Sequence, residues 1–173
     1  MHRNFHSLVG KPTMSNTSLP SFQDLTKPTV KIPWRKKGEG GKTCSYRKVA
    51  RGLNLEGYCK NKSCEAYNKH RVIINWGYKE FVYMLNEHEC FCPLCGKYVT
   101  PITCGFTDTY WKYKGVKKVK GEPPEKVFCG WQFSADDGYT TFLDEEMVLW
   151  EGLTIEVLKE NPIISLLQKE KFF

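Results

Sequence analysis

Histidine is scarce in this chain: His2, His6, His70 and His88 are all there is in 173 residues. A nucleophile needs a base to activate it, usually an imidazole, and an orienting partner for that base. Two of the four histidines lie near the N-terminus, and neither His70 nor His88 stands in a recognisable catalytic order, so an enzyme is the last expectation. Long apolar runs are missing too, which excludes a membrane-crossing helix on sequence grounds. No acid precedes Asp24, yet only Arg3 and Lys11 supply positive charge before it, too little for a mitochondrial presequence. Met1–Pro20 holds no apolar core of the secretory kind. Gly38-Glu39-Gly40-Gly41-Lys42 lacks the preceding strand and following helix of a phosphate-cradling loop. Internal repeats and heptads are likewise absent. What remains is expected to be a cytoplasmic protein that binds rather than catalyses, with no membrane and no small-molecule substrate.

What is present in quantity is cysteine: eight residues, four of them in two short pairs. Cys59-x4-Cys64 and Cys92-x2-Cys95 are separated by 27 residues. In a reducing compartment such pairs hold metal more often than they form disulfides. The second pair reads Cys92-Pro93-Leu94-Cys95-Gly96, a tight turn that aims two sulfurs at one point, its glycine free to take left-handed backbone. Cys59, Cys64, Cys92 and Cys95 therefore form the predicted ligand set for one structural ion, with Zn2+ preferred to iron for want of redox cues. Four thiolates close a tetrahedron and leave no position for a substrate. Cys104 is a reserve ligand, with Cys90 and His88 as further substitutes; Cys44 and Cys129 read as core or surface thiols. A RING arrangement would need another Cys-x2-Cys after Cys95, and none follows.

Charge and pattern divide the rest. Residues 1–42 carry eight Lys/Arg against two acids, so +6 of the whole chain's +7 resides there and only +1 is left for residues 43–173. Residues 1–45 show no helical or strand period and are broken by Pro12, Pro20, Pro28 and Pro33; they read as an extended basic arm. From 46 to 160 the pattern is β. Val72–Ile74 and Glu80–Met84 are expected to form a hairpin broken at Gly77. Thr109–Lys114 alternates, Val127–Phe133 puts an apolar residue at every second position, and Tyr139–Leu143 and Leu153–Leu158 are two more strands. Asp144–Trp150 reads as a helical turn capped by Asp144. Residues 161–173 suggest a tail or short amphipathic helix. The fold class is thus mostly β: a small, antiparallel, zinc-stapled domain resembling a zinc ribbon, with an extended N-terminal arm and short helical turns.

Gly52-Leu53-Asn54-Leu55-Glu56-Gly57-Tyr58-Cys59, Cys64-Glu65-Ala66-Tyr67-Asn68, Cys92-Pro93-Leu94-Cys95, Ile102-Thr103-Cys104-Gly105-Phe106 and Tyr139-Thr140-Thr141-Phe142 are spread across the region from Arg47 to Val157. On these stretches the chain resembles cysteine-rich domains found, often after ubiquitin-like domains, in protist and fungal proteins. That resemblance implies a zinc-binding β domain with the same four cysteines as ligands; it brings no activity with it.

Two surfaces are candidate contacts. Ile32, Trp34, Arg35, Lys36 and Lys37 would grip an acidic groove, and the expected function is a non-enzymatic component of a large intracellular assembly. A cytoskeletal lattice such as a microtubule wall, for instance in a cilium, presents suitable acidic surfaces; tubulin-like partners are favoured. Lys112, Lys114, Lys117, Lys118 and Lys120, interleaved with Trp111 and Tyr113, are the nucleic-acid alternative, an RNA- or ribosome-binding protein. On a strand, however, the rings at 111 and 113 face away from the lysines at 112 and 114 and are expected to be core. A ubiquitin-pathway interaction module is a further alternative.

Overall fold

A computed structural model describes residues 18–34, 44–143 and 146–170. Their strands make two antiparallel sheets. Sheet A runs β1 (Ser21–Gln23), β11 (Met147–Leu158), β7 (Thr109–Lys118), β8 (Glu125–Phe128), with β5 (Phe81–Val82) added to β11 and β9 (Gln132–Ser134) to β7. Sheet B runs β2 (Thr29–Pro33), β10 (Gly138–Phe142), β6 (Thr103–Thr107), β3 (Gly52–Gly57), β4 (Val72–Gly77). The period-two alternation decides how they meet. On β7, Trp111 and Tyr113 point inward and are buried, whereas Lys112 and Lys114 point out. Trp111 stacks on Phe106 of β6 at 4.2 Å between ring centroids and meets the edge of Phe142 of β10, which closes the sandwich.

β11 keeps this alternation over twelve residues by changing phase once. Val148 and Trp150 face inward before the break, Leu153, Ile155 and Val157 after it. The extra residue is absorbed in a bulge between Glu151 and Thr154, where Gly152 takes φ +64. A left-handed glycine is a common way to insert one residue without turning a strand inside out.

Several expectations change. The region expected to be an extended arm apart from the domain supplies a strand to each sheet: β1 pairs with β11 and β2 with β10, and Phe22 is fully buried. Three residues are too few to show a period, and β2 is an edge strand exposed at most positions, so neither leaves an alternating signature. Val72–Ile74 and Phe81–Val82 do not form a hairpin. β4 lies in sheet B and β5 in sheet A, so the chain crosses between layers there and turns into α1 (Tyr83–Asn86). Met147–Trp150 is strand, not helix, because Val148 and Trp150 fill the core at alternate positions. Val127–Phe133 is split into β8 and β9, leaving Phe128 and Phe133 largely exposed. The C-terminal segment does form a helix, α2 (Pro162–Glu170). No helix among the described residues is long and apolar enough to cross a membrane.

Candidate metal centre

The two cysteine pairs meet at one end of sheet B. β3 delivers the first: the chain leaves the strand at Gly57 and turns tightly through residues 59–64. Asn61 organises that turn, its carbonyl accepting the Cys64 N–H at 2.9 Å and its side-chain oxygen the Ser63 N–H at 3.1 Å. The second pair sits on a narrow loop closed by an isolated bridge between Phe91 and Tyr98. Within it the Cys92 N–H donates to the Lys97 carbonyl at 2.8 Å and the Gly96 N–H to the Cys92 carbonyl at 2.9 Å. Gly96 has φ +68, a backbone that a side chain would strain.

A second glycine brings the loops together. A Cβ on Gly57 would lie 2.2 Å from the Thr100 carbonyl oxygen and 2.7 Å from a Val99 methyl. Only a residue without a side chain lets the end of β3 pass this close to the segment leaving the second loop. The approach is reinforced by the Ile102 N–H donating to the Glu56 carbonyl at 2.8 Å.

The result is four sulfurs, all within 4.8 Å of one another. Cys59 and Cys95 Sγ are 3.6 Å apart, Cys64 and Cys92 Sγ 3.8 Å. A disulfide would require about 2.05 Å. A tetrahedron of thiolates at ~2.3 Å from a central ion has edges of about 3.8 Å. These four cysteines can thus hold a metal ion, and all four are free thiols. Cys59 and Cys92 are buried, Cys64 and Cys95 half-buried.

The surroundings favour negative sulfur at one position and oppose it at another. A hydrogen bond from the Asn61 side chain, then one from the Lys97 backbone N–H, lowers the Cys95 thiol to about 6. Burial pushes Cys59 up to about 12. A cation at the centre would supply the missing compensation for the remaining sulfurs, since ligand thiols bind as thiolates.

Other sulfurs stand apart. Cys104, on β6, is fully buried and held far above the ordinary thiol range by burial. Cys90 is buried as well and pushed up to about 12 for the same reason. His88 is exposed. None of these joins the cluster, so among the described residues the cluster is the pair of short-spaced motifs. Cys44 and Cys129 are half-buried and pack against the core.

Behind the first cysteine loop lies a group that sequence reasoning passed over. Glu56, on the outer face of sheet B, is 1% exposed. Its carboxylate receives Arg47 at 3.2 Å, Arg71 at 3.0 Å and the Tyr139 hydroxyl at 2.8 Å. The Tyr139 ring lies where a Cβ on Gly105 would be, 2.2 Å from the nearest ring atom. Glu56 in a strand of otherwise apolar or small residues was the available signal: a buried acid calls for cationic partners.

The other expected contact residues are dispersed. Ile32 and Trp34 are about half exposed, on and just beyond edge strand β2, and the Trp34 indole N–H donates to the Asp136 carbonyl. Arg35, Lys36 and Lys37 lie outside the described residues. Lys112 and Lys114 share Glu156 at 3.1 and 3.9 Å, and Lys118 pairs with Glu151 at 2.8 Å. Lys117 turns the other way, toward Asp24 at 3.4 Å and Glu125 at 3.6 Å; Lys120 is exposed in a turn. The basic and acidic stretches of the sequence are therefore largely cross-strand partners on β7 and β11.

No protein-family model matches the chain, and neither a curated protein nor a solved structure matches it.

Proposed function

We propose that this is a non-enzymatic interaction protein whose β-sandwich is stapled by one structural Zn2+ and which serves as a component of a large intracellular assembly with acidic surfaces. The observation that carries the reading is the edge of sheet B. There β2 presents Ile32 and Trp34 half exposed, and the sequence continues directly into Arg35-Lys36-Lys37. Apolar anchors beside a cationic run suit a groove on an acidic lattice, with a tubulin-like wall the favoured partner. Zinc suits the four-thiol set because its filled d shell imposes no geometry and it takes sulfur tetrahedrally. When bound, the ion would cross-link the two loops and supply no open position for chemistry.

Co-sedimentation with assembled microtubules tests the partner. Trp34→Ala combined with Arg35→Gln, Lys36→Gln and Lys37→Gln should move the protein from pellet to supernatant. If the wild-type protein stays in the supernatant, or the variant still pellets, the lattice reading is wrong. Extraction of cells with detergent and then salt extends the test: retention in the cytoskeletal pellet is expected.

A further inference from the structure

The outer face of sheet A is organised in two parallel rows. Cross-strand partners share a face, so the pairing fixes the layout. Along the β8–β9 edge stand Phe128, Trp131 and Phe133; beside them on β7 stand Lys114, Lys112 and Tyr110. Phe128 pairs with Lys114 and Phe133 with Tyr110. The Lys112 ammonium lies 4.7 Å above the Trp131 ring. Phe128 is 82% exposed and Phe133 57%. The Tyr110 and Phe133 rings sit 4.7 Å apart, tilted by 38°.

Rows of this kind have a specific use. Every nucleobase has a π-face, and an exposed ring stacks on it irrespective of sequence, while adjacent ammonium groups meet the phosphates. Neighbouring strands are about 4.8 Å apart and alternate residues along a strand about 6.7 Å, spacings that let successive bases of an extended strand find successive rings. The charge has the required sign. Lys112, Lys114, Lys118 and, opposite Val116, Lys126 face this way, against Glu151 and Glu156. Glu156 bridges Lys112 and Lys114 and holds both beside the rings. At the α2 end, a cleft of about 590 Å3 opens next to Trp131 and is walled by Lys112, Glu156, Pro162 and Leu166. A duplex hides its base faces within its own stack and has nothing to offer the rings.

We propose that the outer face of sheet A binds single-stranded nucleic acid, with Phe128, Trp131 and Phe133 as the stacking platform and Lys112, Lys114 and Lys126 as the phosphate contacts. This site is separate from the β2 edge, and the two readings fail independently.

The test is fluorescence anisotropy on the full-length, zinc-loaded chain with labelled oligouridine, the matching deoxy-oligomer, a duplex of equal length and anionic phospholipid vesicles. Single strands should bind more tightly than duplex, with log affinity falling against log salt by about 0.7 per phosphate contacted. Phe128→Ala with Phe133→Ala should weaken single-strand binding roughly 25-fold or more, about 5-fold per stacked ring at the low end, and leave duplex binding unchanged. Both rings are exposed, so the variant should melt with the wild type. Phe128→Tyr with Phe133→Tyr keeps the rings and should keep the affinity. Equal affinity for strand and duplex, or a double alanine variant within about twofold of wild type, overturns the proposal. So does ring-dependent binding to vesicles in place of nucleic acid.

Discussion

The outer faces of the two sheets are built from the same alternation and put to opposite ends. On sheet B the outward polar residues of β3 are roofed over: Asn54 is fully buried, Glu56 nearly so, and both are held by the segment at 47–50, Asn54 through Ala50 and Glu56 through Arg47. On sheet A the outward residues meet solvent, and Lys118 and Glu151 pair across strands at 34% and 57% side-chain exposure. A charge pair sealed from water cannot lose one member cheaply, whereas a pair in water can. Sheet B's outer face is thus structural and sheet A's is available.

Removal of the proposed zinc should produce the largest effect, because structural thiolate sites contribute on the order of 10 kcal/mol, comparable to the whole stability of a domain. Chelation at neutral pH, or Cys92→Ser, should abolish the cooperative thermal transition and the near-UV dichroism of the buried tryptophans. A melt unchanged by chelator would mean that the sandwich stands without its staple. Metal analysis of the native protein should return one zinc per chain.

Next in size is the direct contrast between the faces. Glu56→Ala removes the carboxylate shared by two partly buried guanidinium groups and the buried Tyr139 hydroxyl, and should cost about 3–5 kcal/mol. Glu156→Ala releases two lysines into solvent and should cost less than about 1 kcal/mol. Denaturant titration of both variants measures the difference; equal losses would erase the distinction.

Gly57→Ala comes third. Its methyl would collide with backbone, which cannot rotate away, so overpacking of about 1–3 kcal/mol is expected. Zinc affinity should fall with it, because the same contact sets the distance between the loops. Competition with a chromophoric chelator reads this out, and unaltered affinity would show that the loops find each other without it.

The smallest effect concerns the β2 edge. A hydrogen bond from Lys31, 2.6 Å away, holds the exposed Asp137 carboxyl below the usual aspartate range. A carboxyl depressed in the folded state contributes stability above its unfolded pKa and loses it as pH falls through the folded value. The β2–β10 pairing should therefore loosen only in acid, below about pH 4. Asp137→Asn should remove that pH dependence in amide-exchange measurements at Lys31 and Ile32.

The cysteine cluster was legible because its spacing is short and local: two residues, and four, between sulfurs. Strand β7 was legible because buried and outward positions alternate from Thr109 to Lys114, and β10 because Tyr, Thr and Phe favour strand. Strands β1 and β2 were not, since their pairing depends on β11 and β10, more than a hundred residues away, and their own sequence is short and proline-bounded. Glu145 and its neighbours suggested a capped helix, but the cavity filled by Val148 and Trp150 imposed a strand: packing overrode local propensity. Phe133 was read as one apolar face with Val127, Cys129 and Trp131, because nothing local announces the break at 129–131.

The sheet pairings also set a timetable. Ser21 pairs with Leu149 and Ile32 with Tyr139. During synthesis the earliest strands leave the ribosome first and wait for partners made more than a hundred residues later, on the order of ten seconds at ordinary elongation rates. Neither sheet can close at its N-terminal edge before then. The segment that carries Ile32 and Trp34 is therefore fastened late, only once β10 has been made, and for that interval its apolar anchors are open to whatever binds them first.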